Sequence, residues 1–234
     1  MSYHKKGGMV PVHIRLIFVL TIFLLIFQGQ IFSEDIKDTQ SRFPLTLAVV
    51  QKAYQNELEA VHAYQAYARK AVAENYPNIS YLFTTFAASE SIHARNFSQL
   101  LTSLGVVIKE QPEPKVIVSS TKDNLRDASE RELKDIDKRY PEFVRQIKPE
   151  NHKEALWVFE NTLESEKQHR DDIQQIQSGT GILFGMLAGV IESKTKHYFV
   201  CQICGAIADV PPKDSCPICH TPAPTYTEVK RTGL

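Results

Sequence analysis

Glu90-Ser91-Ile92-His93 and Glu166-Lys167-Gln168-His169 place a carboxylate and an imidazole three residues apart, twice in one chain. On a helix such residues share a face about 5–6 Å apart, so each pair can enter one metal site. A single pair of this kind usually marks a solvated face, because burying unpaired charge is costly. Two copies, with acids on two further segments, weigh against that explanation. Those acids are Glu57 and Glu59 in one segment and Glu130, Glu132 and Asp135 in another, while Glu164 lies beside the second pair. Several carboxylates can neutralise and bridge two metal ions while imidazoles complete their coordination. The bundle recipe is one Glu from each of two helices and Glu-x-x-His from each of the other two. Carboxylate oxygen with imidazole nitrogen suits iron or manganese better than a soft-ligand metal.

A second constellation lies near the C-terminus. Cys201-x-x-Cys204 and Cys216-x-x-Cys219 form two knuckles with eleven residues between the inner cysteines. Four thiolates at this spacing can close a tetrahedral site. Paired C-x-x-C knuckles favour metal over disulfides, and spacing alone does not separate iron from zinc. Five prolines from Pro211 to Pro224 make the segment rich in loops, so it needs a staple to hold a fold.

The elements that carry the first constellation follow from the 3.6-residue period. After a polar linker at 34–44, a first helix runs from Leu45 to about Glu74, where Tyr76-Pro77 breaks it. A second runs from about Asn78 to Leu104, with Gly105 as its stop. VVIKEQPEPKVIVSS has no helical period and is long enough to cross from one end of a bundle to the other. A third helix starts near Thr121 and meets Pro141, which should kink or end it. Pro149 suits the first turn of a fourth, ending near Gln177. A short first turn and a long middle crossover give a mainly α chain, a four-helix bundle of ferritin-like connectivity over 45–178. An apolar linker with four glycines spans 179–195, and the four-cysteine module occupies 196–234.

The N-terminus reads differently. Residues 1–33 hold Lys5, Lys6 and Arg15, no acid, and the apolar run LIFVLTIFLLIF. That is the layout of a signal peptide, or of a membrane anchor if uncleaved. The run is shorter than the roughly 20 residues a spanning helix needs. Export, to the periplasm or to a membrane surface facing it, is the expectation. With 27 basic and 27 acidic residues the chain has no charge excess to attract nucleic acid.

The motifs together resemble rubrerythrin, from about Leu45 to Val229 apart from the glycine-containing linker. NELEAVHAY is similar to the family's first-helix pattern, whose register selects Glu57 over Glu59. FAASESIHARNF resembles the second-helix motif and gives Glu90 and His93. NLRDASERELKDIDKRYPEF resembles the third and converges on Glu132. VFENTLESEKQHRDD resembles the fourth and gives Glu166 and His169. One position departs: the family has a second Glu three residues after Glu132, and here it is Asp135. In the family that Glu binds one iron when oxidised and yields to the second-helix His on reduction. Asp is one methylene shorter, which counts against direct ligation and for His93 as a permanent ligand. YFVCQICG and CPICHTPAPTYTEV resemble a rubredoxin-like domain.

The resemblance implies a non-haem di-iron peroxidase that reduces hydrogen peroxide to water. Glu90 and Glu166 would bridge two irons, and Glu57, His93, Glu132 and His169 would be terminal ligands. Tyr64 and Tyr140 stand at motif positions, as donors to the site or as core aromatics. One iron in the tetrathiolate of Cys201, Cys204, Cys216 and Cys219 would return electrons, though zinc fits that spacing too. A head-to-tail homodimer and an extracytoplasmic electron donor are further expectations. The rival readings are a ferroxidase or iron-handling protein and a zinc-ribbon interaction protein with a scaffold bundle.

Overall fold

The computed structural model describes residues 42–109, 112–177, 192, 196–222 and 225–231. All but Arg42 belong to one compact unit, Phe43–Leu234. The export segment and nearly all of the apolar linker lie outside the described residues. Among the described residues, no helix is long and apolar enough to cross a membrane.

Helix α1 spans Pro44–Ala73 and α2 spans Pro77–Ser103, each with a proline in its first turn, where no N–H is needed. Along α1, Val50, Ala53, Glu57, Ala60, Tyr64, Tyr67 and Ala71 are buried, an alternation of three and four residues that lines one face. On α2 the buried stripe runs Ile79, Phe83, Phe86, Glu90, His93, Phe97 and Leu100. In both helices charged ligands therefore interrupt an otherwise apolar seam. Asn75 takes a left-handed φ of 61° in the tight turn between them, and Gly105, at φ 79°, follows α2.

After the crossover, α3 spans Thr121–Lys134, with the Ser120 hydroxyl accepting from the Asp123 amide as its cap. The third helix does not end at Pro141. It widens into a π-helical turn, Asp135–Arg139, and continues as α4, Tyr140–Ile147. The Tyr140 amide reaches back five residues to the Asp135 carbonyl. The wider turn lets the chain carry a residue that has no N–H to give and whose ring would crowd the preceding turn. Pro149 does not open the fourth helix. It sits in a 3₁₀ turn, Lys148–Glu150, and Asn151 at φ 50° reverses the chain before α5, Lys153–Gln177.

Three helix starts are capped from elsewhere in the chain. The Glu150 carboxylate accepts from the Leu45 and Thr46 amides at 2.8 and 2.7 Å. Glu74 accepts from Thr121 N at 2.8 Å, and Glu192 accepts from Asn78 N and Ile79 N. Each anion meets the positive end of a helix and satisfies orphan N–H groups.

The core forms two aromatic clusters. One gathers Tyr64, Tyr67, Phe83 and Phe86, and the other Phe97, Tyr140, Phe143 and Phe159. Along α1 and α2 the ligand positions fall between the stretches that feed these clusters. Burying each Phe stabilises by about 1.5–3 kcal/mol, which offsets the cost of the polar layer between. The C-terminal module is a three-stranded antiparallel sheet, order β2-β1-β3, from Phe199–Cys201 (β1), Ile207–Ala208 (β2) and Tyr226–Glu228 (β3). Its own buried cluster consists of the four cysteines and Ala206, while Tyr198, Val200 and Ile207 are buried in the first aromatic cluster of the bundle.

Candidate metal centres

Seven buried side chains project from α1, α2, α3 with its π-turn, and α5 into the layer between the aromatic clusters: Glu57, Glu90, His93, Glu132, Asp135, Glu166 and His169. Six of them fall into two overlapping groups: Glu57, Glu90, His93 and Glu166, and Glu90, Glu132, Glu166 and His169. In each, the candidate ligand atoms lie within 4.8 Å of one another. Glu90 and Glu166 belong to both groups, which is the placement of two bridging carboxylates. His93 Nδ1 lies 2.8 Å from Glu90 and 3.0 Å from Glu166, and His169 Nδ1 lies 3.1 Å from Glu166 and 3.4 Å from Glu90.

The rival acids are elsewhere. Glu59, Glu130 and Glu164 are exposed, and Glu164 pairs with Lys167. Asp135 lies in neither group. It is buried at the start of the π-turn and ion-paired with Arg139. Burial pushes its carboxyl up to about 7 against the pull of Arg139. The tyrosines take both roles at once. The Tyr64 hydroxyl donates to Glu132 and the Tyr140 hydroxyl to Glu57, while Tyr64 packs on Phe83 and Phe86 and Tyr140 on Phe97 and Phe159.

The electrostatics ask for cations. Burial, followed by the charges of Glu90 and Glu166, pushes the Glu57 carboxyl well above its usual range. Burial and Glu166 likewise raise Glu132. One Glu132 oxygen, Oε2, has no hydrogen-bond partner although it is buried. Burial disfavours charge on Glu166 too, but His169 and His93 outweigh it and hold that carboxyl low. In the reverse direction, burial would lower His93, yet its carboxylate neighbours, Glu166 first, raise it to about 9. His169 is raised in the same way, again chiefly by Glu166. Without metal, two imidazolium protons, together with protons on the raised Glu57 and Glu132 carboxyls, stand in for the charge that two divalent ions would supply with it. The donor set and its charge fit a di-iron carboxylate site.

The four cysteines form the other group and are free thiols. Cys201 Sγ and Cys219 Sγ are 3.8 Å apart, and Cys204 Sγ and Cys216 Sγ are 3.6 Å apart. A disulfide would need about 2.05 Å. A tetrahedral site with metal–sulfur bonds of about 2.3 Å has sulfur–sulfur edges near these separations. Thr225, Thr221 and Tyr226 hydroxyls approach the sulfurs of Cys201, Cys219 and Cys216. The residue after each knuckle turns left-handed, Gly205 at φ 84° and His220 at φ 57°.

The motifs gave no sign of how the two centres meet. His93 Nε2 donates to the Cys204 carbonyl at 3.0 Å. Ser89 donates to the Gly205 carbonyl at 2.7 Å and accepts from His169 Nε2 at 2.9 Å. Asn96 donates to Ile203 O at 2.7 Å, and Arg95 donates to Gln202 O. The first knuckle therefore rests on the α2 face that carries Glu90 and His93. Only glycine fits at 205: a Cβ there would lie 2.4 Å from His93 Nε2. A serine inside a helix, next to a ligand glutamate, was the one local hint, since Ser gains little from that position without a partner.

Comparison with known proteins agrees with this architecture. The family model described as rubrerythrin matches residues 48–177. The chain is 30% identical to rubrerythrin-2 of Clostridium acetobutylicum over 75% of its own length and 91% of the relative's. It is 24% identical to nigerythrin of Nitratidesulfovibrio vulgaris over 82% and 90% of the two chains. The solved structure of nigerythrin in its fully reduced, all-ferrous state superposes with a TM-score of 0.65 at 26% identity, covering 78% of this chain and 86% of that one. A ferritin-like bundle with paired Glu-x-x-His ligands, matched by the family model over 48–177 and joined to a four-cysteine module, makes this chain a member of the rubrerythrin family.

Proposed function

We propose that the protein is a non-haem di-iron peroxidase that reduces hydrogen peroxide to water in defence against oxidative stress. The observation that carries this reading is the hydrogen bond from His93 to the Cys204 carbonyl, which joins a ligand of one centre to the backbone of a ligand of the other. A module used only as a zinc staple or interaction surface has no need of that contact, and the ferroxidase reading leaves it without a task.

Bound iron would supply two electrons to peroxide at the carboxylate site and one-electron delivery from the thiolate site. The side chains do the rest. Glu90 and Glu166, common to both ligand groups, would hold both ions, and Glu57 and Glu132 would each hold one. Reduction of peroxide to two waters consumes two protons. The Tyr64 and Tyr140 phenols, held protonated by burial, are weak acids there; they donate hydrogen bonds that position Glu132 and Glu57 rather than supply those protons. The Phe83, Phe86, Phe97 and Phe159 rings exclude bulk water on both sides, which strengthens each charge interaction inside.

Anaerobically purified protein should contain about three irons per chain, two in the bundle and one at the thiolates. It should show a ferric-thiolate visible spectrum that dithionite bleaches and peroxide restores. Restoration by oxygen but not peroxide would favour ferroxidase. Zinc at the cysteines with no metal in the bundle would sink both. The layout of residues 1–33 supports export, and an exported enzyme would draw electrons from an extracytoplasmic donor. Protease protection of the protein in spheroplasts, whose outer membrane has been opened, would overturn that assignment. We also propose a head-to-tail homodimer, because exchanging the module between two copies keeps every docking contact while changing which chain supplies it. A monomeric mass for the metal-loaded protein in solution would exclude it.

A further inference from the structure

The outward nitrogens of both site histidines end on neighbouring carbonyls of the same knuckle. His93 reaches Cys204 directly, whereas His169 reaches Gly205 only through Ser89. Ser89 is fully buried. Its single proton goes to the Gly205 carbonyl, so its oxygen is free to accept from His169 Nε2. That acceptance keeps a proton on Nε2 and leaves Nδ1, the nitrogen facing Glu166 and Glu90, as the one a metal can use. Two rings are thus aimed by a corner of backbone that lies outside the bundle.

That corner is held by the cysteines. The Gly205 amide bonds to the Cys201 carbonyl, and the Cys201 amide to the Ala206 carbonyl, so the turn is closed around the thiolates. A module whose own cluster is four cysteines, with Tyr198, Val200 and Ile207 buried against the bundle, takes much of its folding free energy from the metal the thiolates bind. Emptying the thiolate site therefore removes the acceptors that orient the histidines, and filling it restores them.

We propose that Ser89 is a positioning residue through which metal loading of the four-cysteine site favours metal loading of the bundle site. The coupling is reciprocal, as any linkage between two binding equilibria must be. It rests on the ligand sets and not on peroxide chemistry, so it stands or falls separately from the peroxidase reading.

The test uses the full chain, stripped of metal, with and without one equivalent of zinc, which the thiolates take first. Manganese(II), which prefers carboxylate and imidazole to thiolate, is then titrated in and the free ion followed by electron paramagnetic resonance. In the native protein zinc should tighten manganese binding about tenfold. Ser89→Ala, which removes one oxygen, should cut that factor below about threefold, and Ser89→Thr, which keeps the hydroxyl, should preserve it. Gly205→Ala provides a second variant that leaves the bundle sequence intact. Its Cβ would push the knuckle off His93 and Ser89, so it too should uncouple the sites. The same zinc effect in Ser89→Ala as in the native chain, or no zinc effect at all, would overturn the proposal. Loss of coupling in Ser89→Thr as well would assign the effect to packing and overturn the hydroxyl bridge.

Discussion

The bundle and the cysteine module hold their metal positions in opposite ways. In the bundle, six ligands are a thin polar layer between two aromatic clusters that would pack without them. In the module, the ligands are the core itself, and its strands are two or three residues long. The bundle pre-pays for its site with hydrophobic burial, and protons on His93 and His169 hold the carboxylates together when metal is absent. The module's reserve is smaller, the Tyr198, Val200 and Ile207 side chains it buries against the bundle. One region organises a metal site; the other is organised by one.

Metal removal should separate the two regions most sharply. Chelation should unfold the module and leave the helices in place, since structural sites of this kind hold about 10–16 kcal/mol of apparent binding free energy. Amide exchange would show it: protection should vanish at Val200 and Ala206 and persist at Phe97. Simultaneous loss of protection in the bundle would break the comparison.

Next in size are substitutions within the carboxylate layer. Glu90→Ala removes a ligand common to both groups and should abolish stoichiometric binding of both bundle metals. Glu57→Ala touches one group and should leave the other occupied. Metal analysis gives the answer, and equal losses from the two variants would contradict the shared position of Glu90.

The proton sensitivity of the bundle should be smaller and graded. His93 holds its proton up to about pH 9 in the metal-free protein, so a metal must displace it. Manganese affinity should rise about tenfold per pH unit from this proton alone between pH 7 and 9, then level off. Metal-free stability should run the other way. The imidazolium contribution is fully present below the unfolded value of about 6.5 and is lost as pH rises through about 9. Affinity that does not change with pH would mean that no proton is released.

Smallest is the loss of a long-range cap. Glu150→Ala removes the acceptor of the Leu45 and Thr46 amides and should cost about 1 kcal/mol in denaturant unfolding, with metal content unchanged. A loss of bundle metal in this variant would show that the α1 start and the site are not independent.

What the sequence reveals divides along the same lines. The two Glu-x-x-His pairs and the paired knuckles are local patterns, readable because a helix or a turn alone brings their residues together. The helix period also shows where the buried faces run. It does not distinguish Glu57 from Glu59, or Glu132 from Glu130, without the family register; the structure puts Glu59 and Glu130 in solvent. The docking of Cys204 and Gly205 on α2, and the caps from Glu74, Glu150 and Glu192, join residues 47 to 116 positions apart, beyond any window of periodicity. Pro141 marks a local distortion and not a helix end: a π-turn stands behind it where the proline rule assumes an α turn.

That turn also has a bearing on insertions and deletions. A π-turn accommodates one residue more than the α turn it replaces, so Asp135–Arg139 is a place where the third helix has gained length without losing continuity. Removing a single residue there would restore the ordinary pitch and leave Tyr140 and Phe143 near their present faces. Removing one from the α turns of α3 before it would instead swing everything after it by about 100° around the axis. Tyr140 would then leave Glu57, and Phe143 would leave the Phe159 cluster. The π-turn is the stretch of the third helix that can absorb a change of count.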